Sequence, residues 1–342
     1  MKQRFPNTRR AALSAIAAIG GAALAARQVF SQQSPAAPIA VPPSRPQRVT
    51  PDVADAHLKA GARPLLCVYS GCLSKIPYAE LPDIVRTMGY DGIDLTVMKG
   101  GHVDPSLYMV DLDRAFQTFQ DAGLELPMVT TSFTSPSEPY AYAILYVSAE
   151  LGARFCRLGT WPPAVALTLG GQNAAIRAAM ARNDLTQFSV TGLRCNITPL
   201  LANHAGSYPG RSIPEVESML SGVSPKAFGY CFDPVQAVIE GRSADAWESA
   251  LQAALPRLGA VALSDIALVK DTQAGDSKLS MKPCPLGEGA IDWKKFSSAL
   301  AAARFHGPIS MHMDYETHSE VNSMRKDLAF ARARVEEAWP IS

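Results

Sequence analysis

The segment Pro308-Ile-Ser-Met-His-Met-Asp-Tyr-Glu316 spaces His312, Asp314 and Glu316 two residues apart at the end of an apolar run. On a regular strand all three would point to one side. An imidazole titrates near neutral pH, and a carboxylate beside it can accept or return a proton, so this pattern is suited to acid/base work. Earlier apolar runs end in the same manner. Tyr69 and Lys75 follow one, His102 another, and Thr130 and Thr131 close a third; Arg157 lies in a fourth, followed by Asn203 and His204, Asp233 and Gln236, and Ser264 and Asp265. Polar groups at one end of successive strands describe an active-site rim.

The elements that would position them are eight strand-like runs: Leu65–Tyr69, Gly92–Val97, Leu126–Thr131, Phe155–Leu158, Leu193–Leu201, Gly229–Phe232, Ala260–Leu263 and Pro308–Met311. Between them lie stretches of helical period: 78–88, 110–122, 139–151, 174–186, 213–220, 244–255, 293–303 and 319–338. Near-continuous apolar strands are buried on both faces, as parallel sheets covered by helices require. Eight such units fit a (β/α)₈ TIM barrel, with chemistry at the carboxyl ends of the strands; periodicity alone would also allow a doubly wound open sheet.

The 342 residues are 47% hydrophobic and 18% charged with a formal charge of +1, enough for a sizeable core and without the electrostatic footprint of a nucleic-acid or anionic-membrane binder. A small molecule is the expected partner. Thr8-Arg9-Arg10-Ala11-Ala12-Leu13 and the apolar run to Ala26 read as a twin-arginine export signal over residues 1–26, too short to span a bilayer. Residues 27–52, rich in proline, read as an extended tether, leaving 53–342 for the barrel, periplasmic or secreted and off the membrane once the signal is cleaved. The six cysteines lie mostly in or beside apolar runs, where a free thiol acts as a small hydrophobe; Cys67 and Cys72 are the nearest pair for a disulfide.

Several segments, in order, resemble the xylose isomerase-like barrel superfamily in its sugar phosphate isomerase/epimerase branch. They are Gly89-Tyr-Asp-Gly-Ile-Asp-Leu-Thr-Val97, Gly100-Gly-His-Val103, Leu151-Gly-Ala-Arg-Phe-Cys-Arg157, Asn203-His-Ala-Gly206, Phe232-Asp-Pro-Val-Gln-Ala237, Pro285-Leu-Gly-Glu-Gly-Ala-Ile-Asp-Trp293 and Gly307-Pro-Ile-Ser-Met-His312. The resemblance implies a divalent ion (Mn, Mg, Co or Zn) held at four strand ends, which here fall at Ala202, Asp233, Ala262 and Asp314. Alanine supplies no ligand, so the expectation is a rearranged site with His204, Asp233 and Asp314 as metal ligands and His312 and His102 nearby. Asp314, His312 and His204 are then the expected catalytic groups, and Lys75, His102, Arg157, Asn203 and Gln236 the expected substrate contacts.

Each has a plainer reading beside it. His204 could cap a turn, Asp233 could form an Asx-turn with Pro234, His102 could simply ride an exposed glycine loop, and Lys75 or Arg157 could neutralise Asp233 or Asp265. Asp265 is expected to anchor its loop, and Gly287-Glu-Gly289 to be a turn with Asp292 at the start of the next helix. The implied activity is isomerisation or epimerisation of a carbohydrate by proton transfer beside a carbonyl. Elimination from an oxidised glycoside begins with the same step, and a barrel that only binds carbohydrate would keep the same mouth. Export points away from a phosphorylated substrate.

Overall fold

The computed structural model describes residues 63–161, 172–206, 209–271 and 278–340; the export signal and the tether lie outside these residues. Eight parallel strands close into a barrel in the order β1-β10-β7-β6-β5-β4-β3-β2, and β8 (Asp265–Asp271) and β9 (Lys278–Cys284) form a separate antiparallel pair. The barrel strands are β1 (Leu66–Tyr69), β2 (Gly92–Val97), β3 (Glu125–Thr131), β4 (Phe155–Arg157), β5 (Thr198–Ala202), β6 (Gly229–Phe232), β7 (Leu258–Leu263) and β10 (Ile309–Met311). All but one lie within two residues of the apolar runs. The closed ring decides between barrel and open sheet.

Alternation along each strand separates two cores. Ile93, Leu95 and Val97 of β2 join the large apolar layer between strands and helices, as do Tyr230 and Phe232 of β6. Met128, Leu200, Cys231, Ala260 and Ala262 pack together inside the barrel against Phe155 and Ala202. In register with these interior positions lie Asp94 (opposite Met128), Arg157 (opposite Leu200) and Ser310 (opposite Ala262). The barrel interior therefore sets buried polar side chains beside the apolar cluster, strand by strand.

Helices follow the strands. Those that shape the mouth are Pro234–Gly241 directly after β6, Trp293–Ala302 after the β8–β9 pair, and Glu320–Ala338 after β10. None of the described helices is long and apolar enough to cross a membrane. All six cysteines are free thiols, four of them fully buried, so Cys67 and Cys72 are not bridged.

Three elements differ from the sequence reading. The helix begun near residue 174 extends over Gln172–Cys195, so β5 starts at Thr198 and not at Leu193. Asn196, with a φ of 58°, turns the chain between them. Pro234, read as a turn former, opens a helix that Asp233 caps. Finally, β8 (Asp265–Asp271) and β9 (Lys278–Cys284) insert a hairpin where no strand is expected.

Candidate active site at the barrel mouth

Asp94 is completely buried in the middle of β2. An isolated carboxylate there would be costly, and two hydroxyls answer it: Thr130 Oγ1 donates to Oδ1 at 2.6 Å and Ser310 Oγ to Oδ2 at 2.7 Å. Burial raises the affinity of this carboxyl for a proton, while Arg157 and the two hydroxyls oppose the shift.

Arg157, at the end of β4, sits above this layer. Its Nη1 lies 3.2 Å from His312 Nε2, and its guanidinium carbon stands 5.4 Å over the ring of Tyr69. The Tyr69 and His312 rings are themselves stacked, 4.3 Å between centroids and 11° between planes. Burial penalises the guanidinium charge, yet its pKa is raised by Cys231, Asp94, Tyr69 and Asp233. Burial pushes the Cys231 thiol itself up to about 12, so at neutral pH that group is uncharged and the carboxylates are what hold the cation. His312 moves the opposite way: burial, then the neighbouring Arg157, drives it well below the usual range. A neutral imidazole can accept the Arg157 N–H at Nε2. His312 thus supports Arg157, and its acid/base capacity is withdrawn from the pH range where the sequence pattern placed it.

Asp233, half-buried at the end of β6, is held in two ways, through its backbone and through its side chain. Asn203 clasps its backbone, donating from Nδ2 to the carbonyl at 2.8 Å and accepting its N–H at 2.9 Å. The Asp233 side chain caps the following helix, Oδ1 accepting from the N–H groups of Val235 and Gln236 at 2.9 and 3.1 Å. Its Oδ2 has no protein hydrogen bond among the described residues. Burial pushes this carboxyl up to about 7, with the Gln236 N–H pulling down, Asp314 pushing up and Arg157 pulling down. Asp314 reaches solvent at the rim. Partial desolvation still raises it, against a Ser264 hydrogen bond and the charge of Arg157.

The remaining expected site residues are placed elsewhere or otherwise occupied. Lys75 is 83% exposed and pairs with Glu320 at 3.1 Å, and Glu316 is exposed. The side chain of Asn203 is engaged with Asp233. Gln236 Oε1 accepts the N–H of Ala205 at 3.0 Å, and His204 directs Nδ1 to the Ala205 carbonyl at 2.9 Å, so these two residues shape the loop after β5. His102 is held by Thr96, its N–H bonded to Oγ1 at 3.0 Å, while its buried Nε2 makes no well-formed hydrogen bond and burial lowers its pKa. Asp265 does anchor its loop, accepting from Gly287 N, Gly289 N and Trp293 Nε1, and Asp292 caps the helix that follows.

Asp94 and Ser310 are the interior groups that sequence reasoning did not assign. A signal existed for the first: a carboxylate centred in a strand buried at every position demands a partner.

Beside the mouth, β9 and the segment after β10 enclose a cleft of about 1010 Å³ whose lining includes Lys282, Cys284, Glu288, Asp314, Glu316 and Lys326. Asp314 thus borders a space larger than a single sugar ring.

A family model described as xylose isomerase-like TIM barrel matches residues 82–334. The chain belongs to this family. Solved structures similar in fold include a 3-keto-D-glucoside 4-epimerase from E. coli, at 14% identity, TM-score 0.60, covering 79% of this chain and 100% of that one. A xylose isomerase-like barrel protein from Mycobacterium smegmatis, crystallised with magnesium, matches at 14% identity and TM-score 0.63 over 80% and 97% of the two chains. A D-psicose 3-epimerase from Clostridium cellulolyticum H10, solved with D-tagatose, matches at 13% and 0.58 over 79% and 99%. At such identities the likeness concerns the fold. Among curated proteins, none matches the sequence.

The donor set does not fit a divalent ion of the kind in the magnesium-bound relative. Ala262 is buried and Ala202 half-buried in the apolar interior cluster. Among the described residues no three His, Cys, Asp or Glu groups converge as ligands. The expected trio of His204, Asp233 and Asp314 is therefore not assembled: His204 turns to its own loop, and one Asp233 oxygen is committed to the helix cap.

Proposed function

We propose that the barrel is an enzyme of the sugar isomerase/epimerase kind, acting on a small carbohydrate by moving a proton at the carbon next to a carbonyl. The observation that carries this reading is a pair of strand-end carboxyls, Asp233 and Asp314, both with raised proton affinity and both under the charge of Arg157 at the end of β4. A base with a pKa near neutrality removes a weakly acidic proton better than an ordinary carboxylate can and still exists in its ionised form. Two carboxyls able to exchange protons at one substrate are what an epimerisation or an aldose–ketose shift requires. Arg157 orients a sugar oxygen, and the cleft beside Asp314 leaves room for a second ring or aglycone. The epimerases with the same fold support the reaction class.

Incubating the protein in D₂O with D-fructose, D-tagatose, L-ribulose and a 3-keto-glucoside, and following carbon-bound deuterium by NMR, tests the reading. Exchange at a carbon beside the carbonyl of at least one sugar is expected. Saturable binding without exchange would instead favour a carbohydrate-binding barrel, the reading that Ala202 and Ala262 support.

The same proposal includes export by the twin-arginine route. Replacing Arg9 and Arg10 by lysine should leave the full chain uncleaved in the cytoplasm, which fractionation and intact mass would show; processing unchanged by the double substitution would remove the route from the proposal.

A further inference from the structure

Resting on the proton-transfer reading above, we propose that the Arg157 guanidinium is the resident cation of this mouth, stabilising the oxyanion formed when the sugar loses its proton, so that the reaction proceeds without a divalent metal. The cation is built into the wall of the barrel. Arg157 lies at the carboxyl end of β4, in register with interior positions on its neighbours. Its plane is fixed from two sides, by His312 at Nη1 and by the Tyr69 ring beneath it, and those two rings brace each other.

Most of its hydrogen-bonding capacity is unspent. A guanidinium carries five N–H donors; among the described residues one meets His312 Nε2 and one meets the Cys231 thiol, a weak acceptor. Asp94, the carboxylate that balances the charge from below, takes its own hydrogen bonds from Thr130 and Ser310. A guanidinium with a purely structural task would be expected to fork onto that carboxylate in bidentate fashion. Here the charge is neutralised at a distance while the donors remain available, as an oxyanion site requires.

Two strand-end positions are apolar. Ala202 and Ala262 pack into the interior cluster and carry no charge. Neither alanine offers the guanidinium an ion-pair partner.

The chemistry balances with these groups alone. The carbon–hydrogen bond beside the carbonyl breaks, its proton passes to the unbonded Oδ2 of Asp233, its electron pair forms the carbon–carbon double bond, and the carbonyl π pair moves onto the oxygen facing Arg157. For epimerisation, a protonated Asp314 gives its proton to the opposite face of the same carbon and the electron pair on oxygen re-forms the carbonyl, leaving Asp233 protonated and Asp314 ionised until both exchange with solvent. For an aldose–ketose shift, Asp233 returns its proton to the former carbonyl carbon while the hydroxyl proton of the deprotonated carbon passes to the oxygen at Arg157, so that the carbonyl re-forms one carbon along. No oxidant, reductant or ion is consumed. The planar fork can hold two adjacent oxygens of an enediolate, which an ammonium cannot do in the same way.

The test uses the D₂O exchange assay on the purified protein after exhaustive chelation, then with added Mg²⁺ or Mn²⁺, alongside Arg157→Lys. Expected are exchange that survives chelation, no stoichiometric metal by elemental analysis, no rise on adding either ion, and a rate reduced at least about a hundredfold in Arg157→Lys. The lysine variant should melt within a few degrees of the wild type; should it fail to fold, the wild-type metal series decides. Exchange that appears only with added metal, or an undiminished rate in Arg157→Lys, would overturn the inference while leaving the proton-transfer reading intact. Absence of exchange from the wild type under every condition would overturn both.

Discussion

Replacing Asp265 by alanine is expected to lower stability by on the order of 3–5 kcal/mol, the largest loss foreseen for a single polar side chain in this chain. The carboxylate is 2% exposed and accepts four N–H groups: Ile266 at 2.9 Å, Gly287 at 3.0 Å, Gly289 at 3.2 Å and the indole of Trp293 at 2.7 Å. Removing the acceptor strands four donors in a dry site, and each bond to such an acceptor contributes roughly 1.5–3 kcal/mol, less than additively. Gly289 shows how tightly the loop is drawn in, because a Cβ there would overlap the Asp265 carboxylate. At a few degrees per kcal/mol for a domain of this size, the melting temperature should fall by about 6–15 °C. The hairpin β8–β9 springs from Asp265, so its amide protons should exchange with solvent faster in the variant even well below that temperature. A melting temperature within 2 °C of wild type, on the order of 1 kcal/mol, would show that the loop is held by its apolar contacts instead.

The barrel was readable because its strands leave a coarse mark: short apolar runs, spaced by helical stretches, that cannot be solvated on either face. What that mark does not carry is the pairing of side chains across the barrel. His312 and Asp314 both fall just beyond the end of β10 rather than on it, and His312 is given to Arg157, 155 residues earlier in the chain. No local pattern announces that partner. Pro234 was legible in principle, since aspartate followed by proline is a helix start as well as a turn, and the choice depends on Val235 and Val238 finding a core to enter. The hairpin escaped because its strands mix lysines and small polar residues with aliphatic ones and pack as an edge pair, where burial imposes little pattern. The metal site is the sharper lesson. Motif order placed Ala202, Asp233, Ala262 and Asp314 at the strand ends, but whether substitutes such as His204 could reach the centre depends on the loop after β5, where Gln236 and the Ala205 carbonyl hold the segment in place.

Changing Asp233 to asparagine should abolish most proton exchange and, in the same variant, remove a pH dependence of stability. Asparagine caps a helix as well as aspartate does, so the segment Pro234–Gly241 should persist. The amide cannot accept a carbon-bound proton, and a loss of at least about a hundredfold in exchange rate is expected, within the usual range for removing a general base. In the wild type the rate should climb with pH through about 7, where the carboxyl ionises, and level off above it. Stability runs the other way. A carboxyl whose folded pKa lies above its unfolded one binds its proton more tightly in the folded state, so its favourable contribution is complete below about pH 4 and is lost as pH rises through about 7. Between those limits the wild type should lose stability relative to Asp233→Asn by up to a few kcal/mol, reduced by hydration of this half-buried group and by its coupling to Asp314. Thermal melts of both proteins at intervals from pH 4.5 to 8.5, set beside the exchange rates, read the two effects from one titrating group. Parallel melting curves together with a rate that does not vary near neutrality would move the proton acceptor away from Asp233, and Asp314 would be the carboxyl to examine in its place.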